Sequence, residues 1–282
     1  MNVAPQNDAE PTMRWSGRRG HAWVEAQELL DRMFKPFEDL LVEVVAAGSG
    51  HRVLDVGCGT GSTTLAVARR IGAKGRSVGI DISGPMIAAA RVRAEREGAP
   101  ATFICADAQA HAFDPASFDT IISRFGVMFF DDSVRAFANL RAAATANAEL
   151  RVIAWRSAAE NPFMTTAESA AAPLLPELPA RNPDAPGQFA FADQRRVSRI
   201  LEMSGWSDID IRPIDVACTL PEKDLLGYLT RIGPVGLALH EVDERTRNQV
   251  VATVRTAFDP YVHGAEVRFT AACWMIRARA PS

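Results

Sequence analysis

The sequence predicts an α/β fold, a mostly parallel sheet with helices on both faces. Between residues 52 and 155 short apolar segments alternate with helical ones at crossover lengths. Several of the short segments are continuous apolar runs, as strands buried on both faces require. A glycine-rich turn, Gly57-Cys-Gly-Thr-Gly61, follows the first of them.

The strands are expected at 52–56 (RVLDV), 77–81, 101–105, 118–123 and 149–155. Helices are expected at 62–71, at 85–97 with Pro85 in the first turn, and at 133–144 with Asp131 or Asp132 as cap. Before this core, apolar positions at helical spacing predict helices over 21–34 and 37–47, broken at Pro36. Residues 1–12 read as a disordered, polar tail. After the core, prolines at 162, 173, 176, 179, 183 and 186 exclude one long helix over 157–191. A helix is expected over 193–204 with Gly205 as its stop, and a sixth strand within 208–220. Residues 221–258 read as mostly helical with a break at Gly233-Pro234, and 267–278 as a last strand.

The 282 residues suit one domain, 13–282, with a helical lid at 13–47, a cofactor-binding core at 50–156 and insertions at 157–191 and 221–265 that are expected to build the acceptor chamber with the N-terminal helices. A net charge of -3 argues against holding a nucleic-acid backbone. No apolar run reaches the ~18 residues of a membrane span. The polar, acidic N-terminus does not read as a targeting peptide, so a cytoplasmic location is expected. Cys58, Cys105, Cys218 and Cys273 show no spacing for a zinc site or a disulfide framework.

The turn brings backbone N–H groups and a helix N-terminus to the sheet's carboxyl edge. Asp81 ends the next strand, where a carboxylate can accept from both hydroxyls of a ribose. Asp107 ends the third strand in the same way. Three strand-end acids beside a glycine turn point to a nucleoside ligand. Two nucleosides compete. A nicotinamide dinucleotide wants G-x-G-x-x-G, but position 62 is Ser. Asp55 would also set a negative charge near its pyrophosphate. A ligand carrying an ammonium and a sulfonium suits Asp55 better, and S-adenosylmethionine is such a ligand.

Asp55-Val-Gly-Cys-Gly-Thr-Gly61, Val78-Gly-Ile-Asp81, Ala106-Asp107-Ala108 and the strand start Phe118-Asp119 resemble class I S-adenosylmethionine-dependent methyltransferases, in the branch of ubiquinone/menaquinone C-methyltransferases and small-molecule enzymes. The resemblance covers about residues 50–156. It implies a Rossmann-like, seven-stranded sheet whose last strand is antiparallel. It places Gly57, Cys58 and Gly59 along the methionyl and ribose parts, Asp55 near the amino group and Asp81 on the ribose. Ile82 and Met86 would pack on adenine, Asp107 and Ala108 would bind its amino edge, and Ser123 and Arg124 would line the cofactor. Relatives carry Pro-Gly-Gly before the fifth strand. This chain has Ala144-Thr-Ala-Asn-Ala148, where Asn147 is available for a left-handed turn.

The expected activity is methyl transfer from S-adenosylmethionine, yielding S-adenosylhomocysteine, to a small apolar or aromatic acceptor. Positioning drives such a displacement, so no nucleophile is required, and no metal is expected. Phe125, Met128 and Phe129, just after the fourth strand, would floor the acceptor site, with Trp15 and Trp23 folding over the mouth. His21, His111, His240 and His263 are the histidines considered as bases, with a solvated or capping role as the plainer reading of His111. Asn161-Pro-Phe163 looks like a nucleic-acid amino-methyltransferase element, but it follows the wrong strand. The rivals are a nicotinamide-dependent oxidoreductase and a non-catalytic cofactor-binding protein. Whether carbon, oxygen or nitrogen is methylated, and whether the chain is a monomer or homodimer, stay open.

Overall fold

The computed structural model describes residues 15–45, 47, 50–182 and 185–282. The expected tail at 1–12, the first two lid residues and Pro183 lie outside them.

Five parallel strands form the core: β1 (Arg52–Val56), β2 (Arg76–Asp81), β3 (Ala101–Cys105), β4 (Phe118–Arg124) and β5 (Ala144–Trp155). Four helices lie between and after them: α4 (Ser62–Ile71), α5 (Gly84–Glu97), α6 (Ser133–Ala143) and, beyond β5, α7 (Pro162–Ala171). Successive side chains of β1, β2 and β4 are buried, so both faces of the central sheet are covered. Ahead of β1 run three helices, α1 (Arg18–Glu25), α2 (Gln27–Met33) and α3 (Lys35–Val42). The later chain adds α8 (Gln194–Met203), β6 (Ser207–Pro221), α9 (Glu222–Arg231), α10 (Gly233–Ala238), α11 (Glu244–Ala257), the two-residue β7 (Val262–His263) and β8 (Glu266–Arg279).

The strand order is β3-β2-β1-β4-β5-β8-β6, with β7 paired to β8 as a hairpin. β8 runs antiparallel to both β5 and β6. The seven-stranded, Rossmann-like sheet with its last strand antiparallel is therefore present, and the β7 hairpin is the one addition. β1 pairs with both β2 and β4, so the strand order reverses at β1 and a crevice opens there beyond the carboxyl ends.

Local chemistry explains the departures from the expected elements. The N-terminal helical region breaks at Ala26 and Phe34. Pro36 sits in the first turn of α3, where a missing N–H costs nothing. β5 begins at Ala144 rather than 149. Asn147 adopts the left-handed conformation (φ 60°), and the Asn147 and Ala280 amides tie this stretch to the end of the chain. β6 tolerates Pro213 because it is an edge strand. Asp132 caps α6, Asp193 caps α8, and α8 stops just before Gly205 (φ 82°). Asn161 is a packing residue: its amide bonds both the N–H and the carbonyl of Ala272, at 2.9 Å each, fixing the start of α7 to β8.

The turns after β1 and β4 meet at the strand-order reversal. A Cβ on Gly57 (φ 69°) would lie 2.5 Å from Gly126 Cα, and one on Gly126 would lie 2.5 Å from the Val56 carbonyl oxygen. Both obstacles are backbone and cannot rotate away. Gly126→Ala should therefore lower the free energy of unfolding by about 1–3 kcal/mol. Chemical denaturation measures it, and an unchanged midpoint would contradict the contact.

Candidate active site

A single cavity of about 430 Å³ lies over the carboxyl ends of β1–β5, within the ~300–1,000 Å³ usual for small-molecule sites. Asp55, Asp81 and Asp107 all line it, as do Gly57, Cys58 and Gly59. Ile82, Met86 and Ala108 form the apolar wall next to Asp81 and Asp107.

The glycine turn works differently from the expectation that its amides face a ligand. The Gly57 and Cys58 amides donate to the Ile80 carbonyl, at 2.8 and 3.1 Å, and the Gly59 amide donates to Asp81 at 2.9 Å. These three N–H groups are consumed in fastening β1's turn to the end of β2. What Gly57 and Gly59 offer the cavity is bare backbone surface. A turn with its amides so occupied is a poor cradle for a pyrophosphate.

Asp81 accepts from Gly59 through one oxygen and from the Ser83 amide, at 2.8 Å, through the other. A carboxylate has about four lone-pair positions, so each oxygen keeps capacity for another donor. Burial raises its proton affinity, and the backbone donors from Ser83, Gly59 and Ile82 oppose this. Asp55 is 2% exposed and accepts one hydrogen bond, from Thr64 Oγ1 at 2.7 Å. Burial pushes its carboxyl up to about 6, against the opposing pull of Thr64 and Arg124. Asp107 accepts from the Gln109 amide at 2.9 Å. Cys58 is buried, and burial together with the two acids holds its thiol well above the usual range, protonated and inert.

The opposite wall is aromatic. Phe125 has φ 65°, a strained conformation for a residue with a bulky side chain. Its ring stacks on Trp155 at 4.7 Å and meets the edge of Phe37 at 5.0 Å. Arg124, Phe125, Met128 and Phe129 line the cavity. Trp15 does too, packing against Phe129 at 5.2 Å while its carbonyl accepts from Ser83 Oγ at 2.8 Å. Trp23, on α1, also reaches the wall. The N-terminal helices thereby bridge the two walls.

Ser123 requires a correction. It is fully buried behind the wall, where its hydroxyl donates to the Val56 carbonyl at 2.7 Å and accepts from the Gly126 amide at 3.2 Å. It fastens the two turns together and does not line the cavity. Among the described residues no histidine lines it either. His111 packs edge-on against Phe113, and His21, His240 and His263 are exposed.

A second group of lining residues, which no motif names individually, comes from α2 and from the two expected acceptor-chamber insertions. Asp31 of α2 pairs with Arg93 at 2.9 Å; burial raises its carboxyl while Arg93 and Arg124 pull it down. Phe163, Met164 and Glu168 come from α7, Arg181 from the segment after it, and Tyr228 from α9. Their only sequence signal is the apolar face of each helix. The wall takes nothing from the 221–265 region beyond Val235.

Residues 53–147 match the family model described as "Methyltransferase domain". The chain is 34% identical over 122 residues to aklanonic acid methyltransferase DauC of Streptomyces sp. (strain C5), a stretch covering 42% of this chain and 56% of that one. It is 25% identical over 185 residues to a demethylmenaquinone methyltransferase of Renibacterium salmoninarum, covering 62% and 75%. The chain spans about half the length of the curated relatives it first matches. Among solved structures, YcgJ of Bacillus subtilis has a TM-score of 0.57 at 16% identity, over 88% of this chain and 99% of that one. The sheet and its strand-end acids thus carry, over residues 53–147, a match to a methyltransferase domain. Similarity also runs to methyltransferases of menaquinone and ubiquinone synthesis.

No helix among the described residues is long and apolar enough to cross a membrane. None of their His, Cys, Asp and Glu side chains gather in a group of three or more able to hold a metal ion.

The buried Asp55 carries a stability cost. The folded state binds its proton more tightly than the unfolded chain, whose value is near 3.8. Its contribution to stability is therefore most favourable below pH 4 and is lost as pH rises through 6. Held ionised at neutral pH, it costs on the order of 3 kcal/mol. Asp55→Asn should raise the unfolding free energy of the ligand-free protein at pH 7.5 by about 1–3 kcal/mol and do much less at pH 4. Urea titrations at the two pH values measure this, and equal effects at both would contradict the burial argument.

Proposed function

We propose that the protein transfers the methyl group of S-adenosylmethionine to a small, apolar or aromatic acceptor. The observation that carries this reading is the cavity itself: three strand-end carboxylates on one wall, and aromatic rings on the wall facing them. The relatives' names agree in kind, aklanonic acid and demethylmenaquinone both being small-molecule acceptors.

The residues present suit the cofactor. Asp55 is a nearly inaccessible carboxylate with one hydrogen-bond donor, and it faces a cavity where an ammonium group would complete its partners. Asp81 keeps lone pairs for ribose hydroxyls. Ile82, Met86 and Ala108 supply a slot for adenine, with Asp107 at its polar edge. When bound, the cofactor supplies an electrophilic methyl on a sulfonium with a neutral thioether as leaving group. The protein's work is then to hold the acceptor in line and keep water out. Phe125, backed by Trp155, offers a flat face for the acceptor, and Trp15, seated on Phe129, covers the mouth. No histidine is needed, because displacement from a sulfonium requires a base only where the acceptor must lose a proton.

A nicotinamide-dependent reaction is the weaker reading, since the turn's amides are occupied and Asp55 stands where a pyrophosphate would lie. A nucleic-acid substrate suits neither the net charge of -3 nor a cavity of this size. Four unpaired cysteines agree with a reducing, cytoplasmic setting.

Calorimetry should detect S-adenosylhomocysteine and not NADH. Extract incubated with the protein and methyl-deuterated cofactor should yield a labelled product by mass spectrometry. Binding without any labelled product would leave a cofactor-binding protein in place of an enzyme. Asp81→Ala should weaken cofactor binding at least about tenfold, through lost charge-assisted hydrogen bonds to the ribose. A folded Asp81→Ala protein with unchanged affinity would overturn the assignment.

The affinity should also depend on pH. A cation beside Asp55 favours its ionised form, so binding should level off above pH 7 and weaken as pH falls below about 6. Asp55→Asn should bind more weakly at pH 7.5 and lose that dependence. A wild-type profile flat from pH 5 to 8 would place the cation elsewhere.

A further inference from the structure

The far end of the cavity is built by stretches that follow residue 156. α7 contributes Phe163, Met164 and Glu168, the segment after it Arg181, and α9 Tyr228. Two of these side chains satisfy each other. Arg181 donates from Nε and Nη2 to the two carboxylate oxygens of Glu168, at 2.8 and 2.5 Å, and its guanidinium lies 4.7 Å from the Phe189 ring centroid. A forked pair of this kind leaves little unmatched charge for a ligand.

Tyr228 is different. Its ring lies nearly parallel to Phe163, 6.2 Å between centroids. Its one hydrogen-bond partner among the described residues is the Met164 sulfur, at 3.8 Å. A thioether is a weak acceptor, and an enclosed phenol ordinarily finds a strong one. Burial pushes the hydroxyl above the usual phenol range, so it is a neutral donor at physiological pH.

We propose that Tyr228 is the hydrogen-bond donor of the acceptor site, and that this site takes an uncharged, flat aromatic molecule bearing a carbonyl oxygen. The half-buried Phe125 ring and the Met164 side chain provide apolar surface, and the phenol provides a polar anchor. An ionised group at this end would have to break the Glu168–Arg181 pair to find a partner. The proposal rests on the methyl-transfer reading only in naming the ligand an acceptor.

Three probes test it: 1-tetralone, tetralin and 1-naphthoate. The first two share a bicyclic skeleton and differ by one carbonyl; the third is an anion of similar size. Their binding to the full chain is measured calorimetrically, with and without S-adenosylhomocysteine. The wild type should bind 1-tetralone at least about fivefold more tightly than tetralin, and more tightly than 1-naphthoate. Tyr228→Phe should bring the ketone-to-hydrocarbon ratio to within about twofold of unity and leave S-adenosylhomocysteine affinity unchanged. Met164→Leu, which removes the sulfur and keeps the phenol, should retain the preference. Equal binding of ketone and hydrocarbon by the wild type overturns the proposal. So does a preference for 1-naphthoate, or a ketone preference that persists in folded Tyr228→Phe or disappears in Met164→Leu. Failure of the wild type to bind S-adenosylhomocysteine would overturn the methyl-transfer reading instead, and the probe ratios would still decide this one.

Discussion

At the centre of the sheet two chain reversals touch backbone to backbone, and the geometry of the cavity depends on that contact. Gly57 follows β1 and Gly126 follows β4, and neither has room for a Cβ. Ser123 joins them from below, donating to Val56 and accepting from Gly126. This contact sets the separation between Asp55 on one wall and Phe125 on the other. Any side chain at either glycine would push those two surfaces apart. A displacement depends steeply on the alignment of its reacting atoms, so a rigid floor between the walls has chemical value.

The same contact explains a local strain. Phe125 lies immediately before Gly126 and is held at φ 65°. Stacking on Trp155 and edge contacts with Phe34 and Phe37 hold the ring in place. Strain of this size, about 1–3 kcal/mol, persists only where surrounding packing over-determines it. Asp55 is a second unfavourable feature nearby, a carboxylate 2% exposed with a single side-chain donor, Thr64. Both raise the free energy of the empty fold. A bound cation and a flat ring would offset both, which is the arrangement expected where a site is preorganised for its ligands.

The parts of this architecture legible in the sequence are those encoded locally. β1, β3 and α4 carry their boundaries in short apolar runs, glycines and caps, and Asp132, Asn147 and Gly205 act where their turn chemistry says they should. The strand-end acids were legible because a parallel sheet brings all its carboxyl ends to one edge. Ser123 was misread because a polar residue at a strand end can face the cavity or the neighbouring turn, and only the register with β1 decides. The turn amides were misread for a related reason: their partners, Ile80 and Asp81, lie on another strand. Phe163, Glu168, Arg181 and Tyr228 had no motif at all. Tertiary packing assembles them from helices whose periodicity announces burial but not what they face.

That division has a consequence for specificity. The domain match ends at residue 147, and the strand-end acids and glycine turn fall inside it. The rings and polar groups at the far end of the cavity, from Trp155 to Val235, fall outside it, as do the N-terminal helices over the mouth. The wall that carries the strand-end acids is thus built from the stretch that matches the domain. The aromatic wall is built partly inside the match, by Phe125, Met128 and Phe129, and partly beyond it, by Trp155, Met164 and Tyr228. The Phe163–Tyr228 ring contact, the closed Glu168–Arg181 pair and the Tyr228 hydroxyl belong to the chain's later segments. On the methyl-transfer proposal, the class of reaction would follow from what the chain shares, and the choice of acceptor from the Phe125 turn together with these later segments.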